Sequence, residues 1–179
     1  ALRNTYAMRL YTLISAAGFA GSRGIPPDRC VVLAPTSRWP GKQWPAARFA
    51  DLARELASRG ISSVLVGAKS ERAQIQPLLA LAKEQPAVID LVGDTSLAQL
   101  MDVIASAACV VANDSAALHI AVGFDRPTVA LFGPTRVNRV GPYMRERDVI
   151  QHINKSDTMD HKNEAAGRAL MDRITSREV

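Results

Sequence analysis

Short apolar runs alternate with helical patterns along this chain from Cys30 onward. Five runs are continuous and rich in β-branched residues, as is typical of strands buried on both faces of a sheet. They are CVVLAP (30–35), SSVLVG (62–67), VIDLVG (88–93), CVVA (109–112) and TVALFG (128–133), and DVIQHI predicts a further short strand. This alternation predicts an α/β fold, a Rossmann-like parallel sheet with helices on both faces and right-handed connections.

Apolar residues at helical spacing separate the predicted strands. After the third strand, Asp94 or Ser96 can act as an N-cap. The helix that follows is predicted to bury one face, formed by Leu97, Leu100, Met101 and Ile104. Another helix is expected to begin near Pro45 and to end at Gly60, and Pro77 is expected to kink or break the next one.

The pattern divides the chain into three parts. Residues 30–151 form the predicted Rossmann-like domain. Residues 1–29 are predicted to hold an amphipathic linker helix, a remnant of a preceding domain, with apolar positions Leu10, Leu13, Ile14 and Ala17. Residues 152–179 are predicted to form a polar segment and then a helix over 163–174, and we expect the chain to be truncated at that end.

Composition and charge narrow the class of protein. The 179 residues are 47% hydrophobic and 22% charged, which is ordinary for a soluble globular domain. The formal charge of +5 suits an anionic ligand or a membrane surface, whereas nucleic-acid binding would be better supported by a dense basic stripe with exposed aromatics. Cys30 and Cys109 each open an apolar run, which favours buried thiols over a disulfide.

Ligands of parallel α/β sheets bind beyond the carboxyl ends of the strands. Five loops lie at that edge: 36–44, 67–71, 93–96, 113–117 and 133–143. The first of them carries Thr36, Ser37 and Lys42 with both tryptophans of the chain. It is either a phosphate grip, with Lys42 as a point charge, or a surface loop that the tryptophans pin to the rim of the sheet.

The stretch NDSAALHIA follows the fourth predicted strand and admits four interpretations. A hydrolase triad of Asp114, Ser115 and His119 is disfavoured, because no G-x-S-x-G elbow surrounds the serine and the histidine lies on the same helix. A metal site needs more ligands than one His and one Asp. The stretch can instead be a helix cap with an interior histidine. It can also be a helix N-terminus that meets an anion, where Ala116 and Ala117 let a phosphate approach the backbone.

Other nucleotide motifs are absent from the sequence. It contains neither a dinucleotide-binding G-x-G-x-x-G nor a P-loop G-x-x-x-x-G-K-[ST], which argues against NAD enzymes and NTPases. The segment LFGPTRVNRVGPY (131–143) holds two turns and forms a cationic loop beside the proposed anion site.

Two segments together resemble the C-terminal domain of the ADP-heptose:lipopolysaccharide heptosyltransferase family: KQWP after a strand, and then NDSAALHIAVGFDRPTVALFGPT. The members of that family are two-domain GT-B glycosyltransferases whose motif is D-[ST]-G-x-x-H-x-A-x-x-x-x-x-P-x-x-x-L-[FY]-G-P-T. The matching residues are Asp114, Ser115, His119, Ala121, Pro127, Leu131, Phe132, Gly133, Pro134 and Thr135. Ala116 replaces the usual glycine, at a cost of about 1 kcal/mol if the backbone there requires a positive φ.

The resemblance, which covers roughly residues 30–150, implies that this domain is one half of a GT-B fold and binds the nucleotide of an ADP-sugar donor. Lys42, with Thr36 and Ser37, would hold the diphosphate and stabilise the charge on the departing ADP. The N–H groups of residues 115–117 would hold the diphosphate from the helix side.

Four further residues receive roles from the resemblance. Glu71 would bind the ribose, and Thr95 would line the adenine pocket. Asp114 would face the hydroxyls of the transferred sugar, and His119 would support the loop. No cofactor beyond the nucleotide-sugar donor is expected, and no metal.

The partners are also implied by the resemblance. The acceptor would be a lipid-linked saccharide of the lipopolysaccharide type, and the general base would lie on the missing N-terminal domain. We therefore expect a cytoplasmic protein with peripheral contact at the inner face of the cytoplasmic membrane, and a fragment that binds the donor without catalysing transfer. Two alternatives remain open: a GT-B-fold sugar-nucleotide epimerase, which would prefer UDP, and a nucleotide-binding module without chemistry.

Overall fold

A single parallel sheet organises the molecule, for which a computed structural model describes residues 18–179. The apolar positions of the predicted linker helix lie outside those residues. Six strands follow the order β3-β2-β1-β4-β5-β6. Their bounds are Cys30–Ala34 (β1), Ser62–Leu65 (β2), Val88–Asp90 (β3), Cys109–Asn113 (β4), Thr128–Leu131 (β5) and Val149–Ile150 (β6). All pairs are parallel, so the predicted Rossmann-like α/β fold is confirmed.

Helices cover both faces of the sheet. The α-helices are Phe19–Ser22 (α1), Ala46–Ser58 (α2), Gln76–Glu84 (α3), Leu97–Ala105 (α4), Ala116–Gly123 (α5), Val137–Val140 (α6) and Glu164–Met171 (α7), and 3-10 turns span Pro40–Lys42, Lys69–Ile75 and Glu146–Asp148. One core lies between the sheet and α1, α4 and α5, and the other between the sheet and α2, α3 and α7. Alternate strand residues point to opposite cores, Val32 to the first and Leu33 to the second.

The helix ends lie at the glycine, proline and serine residues that predicted them, but one residue of a predicted buried face is exposed. Gly60 ends α2 with a φ of 73°, and Pro77 lies in the first turn of α3, directly after a 3-10 turn. Ser96, not Asp94, caps α4, and its hydroxyl accepts a hydrogen bond from the Gln99 N–H at 3.3 Å. The predicted buried face of α4 is wrong at Leu97, which is 67% exposed.

Both cysteines are free thiols in adjacent strands. Cys30 is fully buried in β1, and Cys109 is partly buried in β4. Burial is the main cause that raises the pKa of each thiol above its usual value. This agrees with the prediction of buried thiols and makes both poor nucleophiles at neutral pH.

The C-terminal segment packs back onto the domain. Asn163 caps α7 by accepting from the Ala166 N–H at 3.1 Å, and α7 ends at Met171, earlier than the predicted helix. The Arg173 guanidinium contacts the Asp157 carboxylate, with one N···O distance of 2.8 Å, and so joins the polar segment to the end of α7. Within residues 18–179, no helix is both long and apolar enough to cross a membrane.

Candidate functional site

The sheet order reverses between β1 and β4, and two cavities open beyond their carboxyl ends. The β2-side cavity, of about 440 Å³, extends over the loops after β2 and β3 and the start of α4. The β5-side cavity, of about 570 Å³, extends under the loop after β5. Asp114, Ser115 and Ala116 line both cavities, so the β4–α5 junction divides one crevice into two halves.

A buried amide fixes the loop between β1 and α2. Asn113, fully buried at the end of β4, donates from Nδ2 to the Pro35 carbonyl at 2.8 Å. Its Oδ1 accepts from the Trp44 N–H at 3.0 Å. Because both halves of the amide are satisfied, the start and end of the loop are held against β4. Asn113 was not among the site residues predicted from the sequence, although a polar residue at the end of a buried strand is a usable signal.

The two tryptophans of this loop have different surroundings. Trp44 is buried in the core, where its Nε1 donates to the Ile174 carbonyl at 2.9 Å and its ring meets Phe49 edge-on. Trp39 is partly exposed, lines the β2-side cavity and makes an edge contact with His161 at a centroid distance of 5.0 Å. The tryptophans therefore anchor the loop, but only Trp39 lies at the rim.

An ion pair joins two of the predicted site residues across the crevice. The Lys42 Nζ lies 2.7 Å from Asp114 Oδ2, and the two side chains are 15% and 9% exposed. Their partial burial reduces solvent screening of this pair and of any third charge beside it. Lys42 and Asp114, predicted to meet different parts of a donor, thus form one unit on the wall of the β5-side cavity.

The N-terminus of α5 has no side-chain cap. Ser115 occupies the N-cap position but makes no capping hydrogen bond, and its buried Oγ has no hydrogen-bond partner within the described residues. Asp114 is engaged by Lys42 instead. The interpretation of this stretch as a simple helix cap is therefore wrong, and the first-turn N–H groups, which lack intrahelical partners, face the crevice with the positive end of the helix dipole.

Ala116 takes the place of the expected glycine without backbone strain. Within the described residues, the non-glycine residues with positive φ are Asp28, Asp125 and Met144. Ala116 is the first residue of α5 and has an ordinary helical backbone, so the conditional strain cost does not arise. Its exposed methyl group lines both cavities.

The β2-side cavity combines hydroxyls and two acids, Glu71 and Asp114, with apolar walls. Besides residues 114–117, the structure brings four more of the predicted residues to it, Thr36 and Ser37 as buried side chains and Glu71 and Thr95 as partly exposed ones. The apolar side chains that line the same space were not predicted as site residues: Trp39, Val66, Leu97 and Leu100. Helical spacing assigned Leu97 to the core because periodicity does not distinguish a core from a cavity wall.

The β5-side cavity is cationic. Lys42, Arg136 and Arg139 line it opposite a single acid, Asp114. Thr135 contributes a buried Oγ1 that has no partner within residues 18–179. Its loop is fixed because the Gln151 amide donates to the Gly133 and Thr135 carbonyls at 2.8 Å each.

His119 lies on the exposed side of α5 and lines the β5-side cavity. It is therefore not an interior histidine, and within the described chain its ring makes no hydrogen bond that would brace the loop. The unpartnered Ser115 Oγ also lacks the hydrogen bond to a base that a hydrolase nucleophile requires. Over residues 18–179, no group of three or more His, Cys, Asp or Glu side chains is placed to hold a metal ion.

Comparisons with known proteins agree with this geometry. The model of the family described as glycosyltransferase family 9 (heptosyltransferase) matches residues 14–168. Lipopolysaccharide heptosyltransferase 2 of Salmonella typhimurium is 40% identical over 116 residues, which make up 64% of this chain and 33% of that protein. The chain therefore spans about a third of the length of this curated relative.

Solved structures show the same fold. The structure of E. coli ADP-heptose lps heptosyltransferase II is 26% identical, with a TM-score of 0.69, and the match covers 91% of this chain and 52% of that one. E. coli heptosyltransferase WaaC with ADP is 22% identical, with a TM-score of 0.60, over 81% of this chain and 44% of that one.

Proposed function

We propose, because this chain belongs to glycosyltransferase family 9, the heptosyltransferases, that its two cavities bind the nucleotide-sugar donor of a glycosyl transfer. The donor that we propose is an ADP-sugar, with ADP-heptose as the first candidate, since one related structure is of an ADP-heptose heptosyltransferase and another is of a heptosyltransferase with ADP. The observation that carries the proposal is the division of one crevice by an uncapped helix N-terminus with Lys42 beside it.

The nucleoside fits the β2-side cavity. Adenine is a flat, largely apolar ring, and Leu97, Leu100 and Trp39 offer it apolar walls, with Thr95 as a polar contact. Glu71 lines the same cavity and presents a carboxylate that can accept from both ribose hydroxyls. Burial of the adenine ring would supply the hydrophobic part of the affinity.

The diphosphate fits the junction of the cavities. Ser115 and Ala116 line both cavities, Thr36, Ser37 and Ala117 line the β2 side, and Lys42 lines the β5 side. A diphosphate placed between them could accept from the N–H groups of residues 115–117, from the three hydroxyls and from the Lys42 ammonium. Donors to a charged phosphate make the stronger class of hydrogen bond, and a helix N-terminus favours the negative charge. A phosphate oxygen in this position would also give the buried Ser115 Oγ a partner.

The transferred sugar would then occupy the β5-side cavity. Asp114 can accept hydrogen bonds from sugar hydroxyls there, and His119 and Thr135 offer further polar contacts. Because Lys42 touches Asp114, the residue that binds phosphate also orients the residue that binds sugar.

This arrangement supports departure of the nucleotide. Transfer breaks the bond between the anomeric carbon and the diphosphate oxygen, and negative charge develops on the leaving ADP. Lys42 and the α5 N-terminus stabilise that charge from fixed positions. The acceptor hydroxyl loses its proton to a general base that we place on the N-terminal domain of the full-length enzyme.

We further propose a lipid-linked saccharide of the lipopolysaccharide type as the acceptor. Such an acceptor would bring the full-length enzyme to the inner face of the cytoplasmic membrane, and the charge of +5 suits the anionic lipids of that surface. The nucleotide-sugar donor is the only small molecule that this proposal requires.

Reconstitution tests the function. The chain, joined to the N-terminal half of a family 9 enzyme, should release ADP from ADP-heptose in the presence of a heptose-deficient lipopolysaccharide acceptor. Release of ADP that requires the acceptor supports the proposal. Conversion of a UDP-sugar to its epimer would instead support the epimerase alternative, and nucleotide binding without turnover would support a binding module.

A further inference from the structure

Helix α7 contacts the loop that carries Lys42, although none of its residues lines either cavity. It packs against the Pro40–Lys42 turn, where Gly41 and Gly167 are both buried. The adjoining carbonyls of Asp172 and Ile174 accept hydrogen bonds from the Arg48 guanidinium, and Ile174 also accepts from Trp44. The back of this loop is therefore built by the C-terminal segment.

The contact between the two glycines leaves no room for a side chain at position 167 of α7. A Cβ added to Gly167 would lie 2.4 Å from the Gly41 carbonyl oxygen and 2.6 Å from the Gly41 Cα. Both are backbone atoms, so relief of the overlap would require the turn or the helix to move. A Cβ added to Gly41 would meet its nearest atoms at 3.4 Å, an ordinary contact. The restriction therefore applies to Gly167.

Glycine weakens a helix relative to alanine, so local helix stability does not explain Gly167. The turn that it contacts explains it better, because Lys42 follows Gly41 directly and its Nζ reaches Asp114 at 2.7 Å. A displacement of the turn by the overlap would carry Lys42 with it. A charge-assisted contact depends steeply on distance and direction.

We infer that Gly167 is a positioning residue for Lys42, since its bare Cα lets α7 support the Pro40–Lys42 turn where the ammonium meets Asp114 and the donor phosphates. This inference rests on the proposed function, because the phosphates give Lys42 its role. Gly167 touches no part of the donor and acts only through the turn.

The test compares ADP with adenosine, which lacks the phosphates that Lys42 would contact. In the 179-residue chain, Gly167→Ala should weaken ADP binding by about tenfold in calorimetry, the order of one charge-assisted contact. Adenosine binding should change by less than about twofold. Gly21→Ala is the matched control, since Gly21 is helical with open space around its Cβ position, and it should leave both affinities unchanged. A folding defect would weaken both ligands together.

Two further variants show whether the loss of affinity acts through Lys42. In a Lys42→Ala background, Gly167→Ala should add no further loss of ADP affinity, and an undiminished loss there would overturn the inference. A Cβ on Gly41 would make only ordinary contacts, so Gly41→Ala should leave ADP affinity within about twofold of wild type and is a second control. If Gly167→Ala folds poorly, all variants are measured with sucrose as a stabilising osmolyte. ADP affinity of Gly167→Ala equal to that of Gly21→Ala would also overturn the inference.

A crystal structure of the variant separates this inference from the proposed function. A wild-type chain that does not bind ADP would refute the donor site, but the Lys42–Asp114 distance in Gly167→Ala would still decide the inference. A distance well beyond the present 2.7 Å supports positioning by Gly167, and an unchanged ion pair refutes it.

Discussion

The two halves of the crevice differ in the forces that they offer a ligand. The β2-side cavity has apolar walls, such as Leu97 and Leu100, and its charged side chains are two acids and one cation, Arg38. The β5-side cavity has three cationic side chains and the Lys42–Asp114 ion pair. A ligand that spans both would gain hydrophobic affinity on one side and salt-sensitive affinity on the other, so each half can be weakened separately.

The largest expected effect is on the cationic side. Lys42→Ala should weaken ADP binding about 10- to 100-fold, because one charge-assisted contact contributes ~1.5–3 kcal/mol and Asp114 would be left unpaired near the phosphates. Adenosine binding should not change. Calorimetry at low and high salt measures both, with the exposed Lys83→Ala as control. Equal loss for adenosine and ADP would show that Lys42 supports the fold and not the phosphates.

A change on the apolar side should weaken binding of the base and leave binding of the phosphates unchanged. Leu97→Ala should weaken both ADP and adenosine about three- to tenfold, because the base would cover less apolar surface at about 25 cal/mol per Å². Binding of inorganic pyrophosphate should stay the same. Ile153→Ala removes an exposed aliphatic side chain that lines neither cavity and is the matched control. Unchanged adenosine binding in Leu97→Ala would remove the base from this cavity.

The sequence predicted the fold because strands buried on both faces leave continuous apolar runs. It predicted which loops meet because parallel strands end at one edge of the sheet. It did not predict that Lys42 pairs with Asp114, since 72 positions separate them and no spacing rule joins them. It also did not predict that the Trp44 N–H donates to Asn113 Oδ1, because that hydrogen bond depends on tertiary structure.

A smaller effect is expected at Ala116, on the boundary between the cavities. Ala116→Gly should change ADP affinity by no more than about twofold, because Ala116 already has an ordinary helical backbone there. The variant should lose about 0.5–1 kcal/mol of stability from helix propensity, measured by denaturant unfolding. A gain of tenfold or more in affinity would instead show that the methyl group obstructs the phosphate.

The smallest effect lies outside both cavities, in the polar segment between β6 and α7. The Arg173 guanidinium and the Asn154 N–H lower the pKa of Asp157 from 3.8 to about 2. Because the folded pKa lies below the unfolded value, the stabilisation is present above about pH 4 and is lost as the pH falls through about 2.

Asp157→Asn should therefore speed hydrogen exchange at the Asn154 amide at neutral pH, and the difference from wild type should shrink as the pH falls through about 2. ADP affinity at neutral pH should be unaffected. A difference in exchange that grows as the pH falls would contradict the assignment of this pair.

Selection of the base tests the central claim most directly. In the proposed complex, the purine lies in the apolar β2-side cavity and the diphosphate at the N-terminus of α5. Calorimetric titration of the unmodified chain should show ADP binding at micromolar to millimolar affinity, as a few charge-assisted contacts less the cost of association suggest. UDP, with its smaller base, should bind at least about tenfold more weakly. UDP binding as tight as that of ADP, or no binding of ADP, would contradict the account.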